Sequence, residues 1–413
     1  MLYNLQKKIN KKYYFSYGIP IIFFTIIISL GNIEKINFYG ISTYTDLAIK
    51  FNNFNIFSDN QITILPIYPL FLKQIFILFG DYNYFMILFF QLILCIITYN
   101  FIFKIFNFFR IRISWIILIS IIMSINLYYR FFIILPNGLY IFFITLFLYQ
   151  FINFYFKIKN KNFFKLSFFI FLLILTRPIS LTVIIIVAPL IIFFLAKNCK
   201  IYFKNKIKLI LVFCVTIFLS FSLQALRYYN VTKNLGYVDQ SGGHFALWTV
   251  PCLAQKYGCG SRNIEVRNKI AQELNSNKPI NNKLYYEVGK KNLSEINPAI
   301  ITSAVLFGYI KLIFHSPIYE LFESYNIKYL YISNLLNKNI LNKLYDQPHM
   351  LLWVISQSWI FFERFVQFFG LIYLLKEKRL IYISFLLLAL SIGLAGPAIG
   401  IGNPRYRSEI EPI

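Results

Sequence analysis

Residues 116–128 and 166–176 carry no charged side chain, and 183–195 carries none either, with a single proline among its apolar residues. Runs like these leave little room for a water-facing stripe, so they do not read as amphipathic surface helices. A hydrocarbon core about 30 Å thick is crossed by about 20 helical residues. Inside it every backbone N–H and C=O must pair internally, which makes such runs helices. A transmembrane barrel would instead show apolar and polar residues alternating over segments of about ten, and 166–176 does not alternate. Composition agrees. Only 14% of the 413 residues are charged and 58% are hydrophobic, with a mean hydropathy of +0.62. Soluble domains average about 25% charged residues, and a chain of this size needs polar surface to face water.

The expected spans lie near 14–31, 83–103, 113–129, 137–156, 163–177, 179–196, 209–226, 350–374 and 380–397. Their connections alternate in charge. One set holds Lys7, Lys8, Lys11 and Lys12; Lys104, Arg110 and Arg112; Lys157, Lys159, Lys161 and Lys165; Lys197, Lys200, Lys204, Lys206 and Lys208; and Lys376, Lys378 and Arg379. The short connections of the other set hold little beyond Arg130 and Arg177. The positive-inside rule places the first set in the cytoplasm. The net charge of +25 is then a property of the loops rather than a nucleic-acid footprint. Lysines followed by the apolar run 19–30, with no small-residue cleavage site after it, read as an uncleaved signal anchor.

The expected architecture is an all-α polytopic membrane protein of about 9–11 transmembrane helices with two long non-cytoplasmic segments. Its parts are a cytoplasmic N-terminus and first helix at 1–31, a first external loop at 32–82, a helix bundle at 83–226, a large external segment at 227–349, and C-terminal helices at 350–413. Residues 67–79, broken by Lys73 and Gln74, and 300–314, which contains Lys311, either span or lie along the interface as amphipathic helices.

Acidic residues are scarce, 16 in all. Asp46 lies in the first external loop, followed by Pro66-Ile67-Tyr68-Pro69 and then Gly80-Asp81. Leu175-Thr176-Arg177-Pro178 joins two spans, and Pro404-Arg405-Tyr406-Arg407 precedes Glu411-Pro412. In that order these elements resemble the GT-C superfamily of polyprenyl-phosphate-sugar glycosyltransferases, whose bacterial members relate to protein O-mannosyltransferases and lipid A aminoarabinose transferases. The chain departs from the pattern at Leu47, where many relatives have Glu, and at Lys50, where they often have Tyr.

The resemblance implies a GT-C fold and a transferase that moves a sugar from a polyprenyl-phosphate carrier to an acceptor hydroxyl, inverting its configuration in one displacement. The carrier-linked sugar is the donor substrate, and no cofactor is implied. The acceptor is a glycan, lipid or protein. The location implied is a bacterial inner membrane with the active site on the periplasmic face. Asp46 then serves as general base, since a carboxylate can take the acceptor proton. Arg177, Arg405 and Arg407, with Tyr68, then bind the lipid phosphate and donor, arginine being suited to bidentate phosphate contacts.

Each residue also has a plainer reading. Asp46 serves equally as a solvated loop residue, Arg177 as a side chain snorkelling to the headgroups, and Arg405 and Arg407 as a charge cluster at a helix end. Tyr68 and its prolines serve equally to shape a helix entry. Two other functions stay open, a lipid or polysaccharide transporter and an O-antigen polymerase or ligase. A transporter needs ionisable residues along its spans, and Glu363 beside Arg364 is the clearest instance.

Of the five cysteines, Cys252 and Cys259 alone fall in the large external segment, which predicts a disulfide between them. His244, His315 and His349 show no zinc-ligand spacing, so no metal is expected. There is no phosphate-cradling glycine loop and no dinucleotide fingerprint.

Overall fold

The structure, a computed structural model, describes residues 41–51, 64–109, 130–197, 201–233, 241–255, 264–276, 282–314, 349–377 and 380–395, with isolated positions in 18–29, 56–57 and 235–237. The expected span at 113–129, most of that at 14–31, and Cys259, Arg405 and Arg407 lie outside the described residues.

All regular structure among the described residues is helical. Helix α1 is Ile41–Lys50, α2 Ile67–Phe79, α3 Tyr84–Phe108, α4 Asn137–Lys157, α5 Asn160–Ile174, α6 Ser180–Lys197 and α7 Phe203–Thr232. Four of these, α3, α4, α6 and α7, are long and apolar enough to cross a bilayer. Helix α2 follows Pro66 and ends at Gly80, whose φ of +90° is a conformation that side-chain-bearing residues rarely adopt. At 13 residues α2 is about 20 Å long, too short to cross the hydrocarbon core alone. Asn83 caps α3, its side-chain oxygen accepting from the Met86 N–H at 3.2 Å. Helix α5 stops at Ile174, three residues before the end of the expected span, and the position before Pro178 disfavours helical backbone.

Helix α7 begins before its expected span, at Phe203, and extends past it to Thr232. Lysines at one end and Arg227 near the other continue the helix beyond its apolar middle. Its faces explain why it belongs in lipid. Leu209, Phe213, Ser220, Gln224 and Arg227 face the bundle, while Leu211, Phe218, Leu219 and Leu226 point outward and are exposed. A soluble helix would carry polar residues on that outer face. The bundle packs α4 on α3 and α5, α5 on α7, and α6 on helix α14, Ile381–Ala395. Four crossing-length apolar helices with apolar outer faces make the chain an all-α integral membrane protein.

The bundle has two unlike ends. Helices α3 and α4 run parallel: Gln91, early in α3, donates to the Ile133 carbonyl just before α4, and Lys157 at the close of α4 sits 5.7 Å over the Phe108 ring. Lys104, Lys157, Lys159, Lys161, Lys165, Lys197, Lys204, Lys206 and Lys208 therefore gather at one end, where Lys206 donates to the Ala196 carbonyl at 2.8 Å. Asp46, Asp81 and Arg177 belong to the other.

Beyond α7 lies a small polar helical unit. Helix α8, Ser241–His244, passes through a π-helical stretch, Phe245–Thr249, into α9, Val250–Leu253; α10 is Ile264–Ser276 and α11 Asn282–Ser294. Ala246, Val250, Ile270, Leu274 and Val288 form its core. Gly289 fits because a Cβ there would come within 2.8 Å of the Phe245 ring. Lys269–Glu295 and Lys291–Glu273 pairs brace its surface. Helix α12, Pro298–Phe314, and α13, His349–Lys376, follow.

Candidate functional site

The site is built at the end of the bundle opposite the lysines. Asp46 sits half-buried on α1, and the hydroxyl of Tyr82 donates to its Oδ1 at 3.1 Å. Tyr82 lies in the turn between α2 and α3 with φ +58°, a left-handed conformation that costs a tyrosine about 1–2 kcal/mol. Sharing its proton with Asp46 raises the Tyr82 pKa above the usual tyrosine value. Asp46 Oδ2 accepts no bond among the described residues. Lys73, which interrupts the apolar run of α2, donates to the Ile49 carbonyl at 3.3 Å, where its charge complements the C-terminal end of α1.

The Pro66-Ile67-Tyr68-Pro69 element opens α2, which packs against α1. Tyr68 is fully buried, with its ring edge-on to Tyr44 at 5.4 Å and its hydroxyl without a hydrogen-bond partner among the described residues. The neighbouring Ile67 N–H donates to the Leu175 carbonyl at 3.2 Å. That bond joins the start of α2 to the Leu175-Thr176-Arg177-Pro178 turn. Arg177 is half-buried, its guanidinium carbon 5.8 Å over the Tyr140 ring. Ser180 Oγ donates to the Leu173 carbonyl at 2.6 Å and lies 3.1 Å from Tyr140 Oη. Tyr237 donates to the Ile174 carbonyl, and burial pushes its phenol pKa up.

A second arginine holds the loop between α1 and α2. Arg227 is fully buried near the end of α7, donates to the Ile56 and Ile64 carbonyls, and lies 5.9 Å over the Phe51 ring. Its rigid fork suits two acceptors at once.

Of the residues expected at the site, Asp46, Tyr68 and Arg177 thus lie on three elements that meet at one end of the bundle. Arg405 and Arg407 lie outside the described residues. Tyr82, Arg227, Tyr140 and Ser180 are additions the sequence did not mark, and Lys73 stood out there only as a break in an apolar run. Glu363 and Arg364 on α13 lie 3.9 Å apart, and Gln367 bonds both, so the two charges partner one another. Cys252 is buried in α9 and disulfide-bonded, whereas Cys95 and Cys214 are free. No cluster of three or more metal-ligating side chains occurs among the described residues.

Asp46, with one oxygen held by Tyr82 and the other without a bond among the described residues, can act as a base toward a hydroxyl brought to this end of the bundle. An arginine backed by an aromatic ring and half open can hold a phosphate. Compared with family models, curated proteins and solved structures, the chain matches none of them.

Proposed function

We propose that this protein is a membrane glycosyltransferase of GT-C type, which moves a sugar from a polyprenyl-phosphate carrier to an acceptor hydroxyl on the non-cytoplasmic side. The observation that carries this reading is the Ile67–Leu175 backbone bond. It docks the Arg177 turn against the start of α2, where Tyr68 meets Tyr44 of the helix that carries Asp46, so that segments far apart in the sequence share one end of the bundle. Asp46 takes the acceptor proton as the hydroxyl oxygen attacks the anomeric carbon. The bond from that carbon to the phosphate oxygen breaks, and Arg177 holds the charge that stays on the phosphate. One displacement inverts the anomeric centre and needs one base. The bilayer carries the donor's polyprenyl chain, so the protein needs to grip only its phosphate and sugar. The lysine-rich end faces the cytoplasm under the positive-inside rule, which sets Asp46 on the opposite face.

The experiment is a comparison of cell-envelope glycans and glycolipids by mass spectrometry. Cells lacking the gene are compared with the same cells expressing wild-type protein or Asp46→Asn. The expected result is a product short of one sugar in the deletion and the variant, restored by wild type. An unchanged glycan and glycolipid profile in the deletion strain would overturn the reading.

A further inference from the structure

At the lysine-bearing end, a cavity of about 280 Å³ opens between α4, α6 and α14, lined among others by Phe151, Leu190, Phe193, Phe194, Tyr382 and Phe385. Among the described residues no charged side chain lines it. Its floor is aromatic, with Tyr382 against Phe194 at 5.3 Å and against Phe193 at 6.4 Å. Pro189, one residue before Leu190, has no N–H to give to the preceding turn of α6, which loosens that helix beside the cavity.

The rim is of the opposite character. Lys197 ends α6 and stands 5.9 Å over the ring of Phe193, itself part of the lining. Lys376 ends α13, and the Leu380 N–H, just ahead of the helix that forms the far wall, donates to the Glu377 carbonyl at 2.8 Å. An apolar slot with the Lys197 ammonium over one of its lining rings, and with Lys376 five residues ahead of its first lining residue on α14, is set into the part of the molecule that lies in the bilayer. An acyl chain matches the slot, and a negative headgroup matches the lysines, whereas a neutral lipid would satisfy only the first.

We propose that this groove binds an anionic glycerophospholipid from the bilayer, one acyl chain between α6 and α14 and the headgroup phosphate against Lys197 and Lys376. The site stands apart from the sugar-transfer reading. Its lining on α6, from Leu190 to Phe194, lies about 15–21 Å along the helix from Ser180.

The test uses the purified full-length protein in nanodiscs of phosphatidylglycerol, phosphatidylcholine or an equal mixture, with lipids retained on release counted by native mass spectrometry. One phosphatidylglycerol retained in preference to phosphatidylcholine is the expected result. Lys197→Gln and Lys376→Gln should each weaken that retention about fivefold, and Lys197→Arg should restore it. Leu190→Trp, which fills the slot, should remove it. Equal retention of the two lipids by wild-type protein, or phosphatidylglycerol retention unchanged in both glutamine variants, would overturn the proposal. Should Leu190→Trp fail to give folded protein, the two lysine variants decide the question, because both lysines sit at helix ends where a glutamine is tolerated.

Discussion

The hydroxyl of Tyr82 reaches back across the α2–α3 turn and donates to Asp46 Oδ1 at 3.1 Å, from a backbone conformation few tyrosines adopt. A strained residue persists only where its surroundings hold it, and such residues concentrate at functional sites. Under the proposed chemistry the two side chains have separable effects. Asp46→Asn keeps the shape and removes the base, and should lower sugar transfer by about 10²–10⁴-fold. Tyr82→Phe leaves the base but loosens it. One hydrogen bond contributes about 0.5–1.5 kcal/mol, so a loss of roughly 2–12-fold is expected. Rates of purified variants on a polyprenyl-phosphate sugar donor decide this. An Asp46→Asn rate near wild type would sink the role of Asp46.

The same pair makes a pH prediction that does not depend on activity. The Tyr82 pKa is raised, chiefly by the Asp46 hydrogen bond. For a group whose folded pKa is raised, the stabilisation is fully present below its unfolded value and is lost as pH rises through the folded one. Alkaline titration followed by tyrosinate absorbance should therefore show, beside buried phenols such as Tyr237 that also ionise late, a further late phenol from Tyr82. Asp46→Asn should return that phenol toward the usual tyrosine range, while Tyr82→Phe should delete it from the titration. An identical set of late-ionising phenols in all three proteins would refute the assignment.

Arg227 is the residue on which the α1–α2 connection depends. It is fully buried with both Ile56 and Ile64 carbonyls on its guanidinium. Arg227→Leu removes charge-assisted bonds and strands two carbonyls, which should cost about 2–4 kcal/mol. Arg227→Lys keeps the charge without the fork and should fall between. Thermal unfolding in detergent measures both, and equal midpoints for wild type and Arg227→Leu would refute the clamp.

How much of this is legible in the sequence follows from what each feature depends on. The apolar runs become helices because backbone in lipid has few other options, so α3, α4 and α6 lie close to where the runs are. Asp46, Tyr68 and Arg177 stand out because few other polar motifs interrupt the apolar chain. Tyr82 does not stand out: it is one of 31 tyrosines, and its role comes from a turn set by Gly80 and Asn83. Arg227 bonds backbone carbonyls, which carry no residue identity, so no pattern could have named its partners. Lys73 reads in sequence as a break in an apolar run, yet it serves as a tether to the end of α1.

Orientation is a separate prediction. The α4–α5 and α6–α7 connections lie at the end that gathers Lys157, Lys159, Lys161, Lys197, Lys204 and Lys206. A reporter active only outside the cytoplasm should be silent when fused near Asn160 or Lys204. Fused near Gly242, at the start of the small helical unit, it should be active. Activity at Lys204 would place Asp46 on the cytoplasmic face and end the proposed use of an externally presented donor.

The small helical unit beyond α7 has five buried apolar side chains at its centre, a modest core for its length. A covalent staple would matter there. Cys252 is buried in α9 and disulfide-bonded, and neither Cys95 nor Cys214 is its partner, since both are free. The remaining cysteines are Cys199, in the lysine-rich connection, and Cys259, seven residues on from Cys252 and flanked by Gly258 and Gly260. Two glycines let the backbone turn sharply enough to close so short a loop, so Cys259 is the expected partner. By the chain-entropy model closing that loop contributes about 2–3 kcal/mol. Peptide mapping of protein alkylated without reduction should show a Cys252–Cys259 cross-link, and Cys199 should carry the alkyl label. Cys252→Ser, Cys259→Ser and the double variant should lower the unfolding midpoint equally, because losing either sulfur breaks the same bond. A Cys199–Cys252 cross-link, or alkyl label on both Cys252 and Cys259 in protein from intact cells, would rule the pairing out. The second result would also move the small unit out of an oxidising compartment.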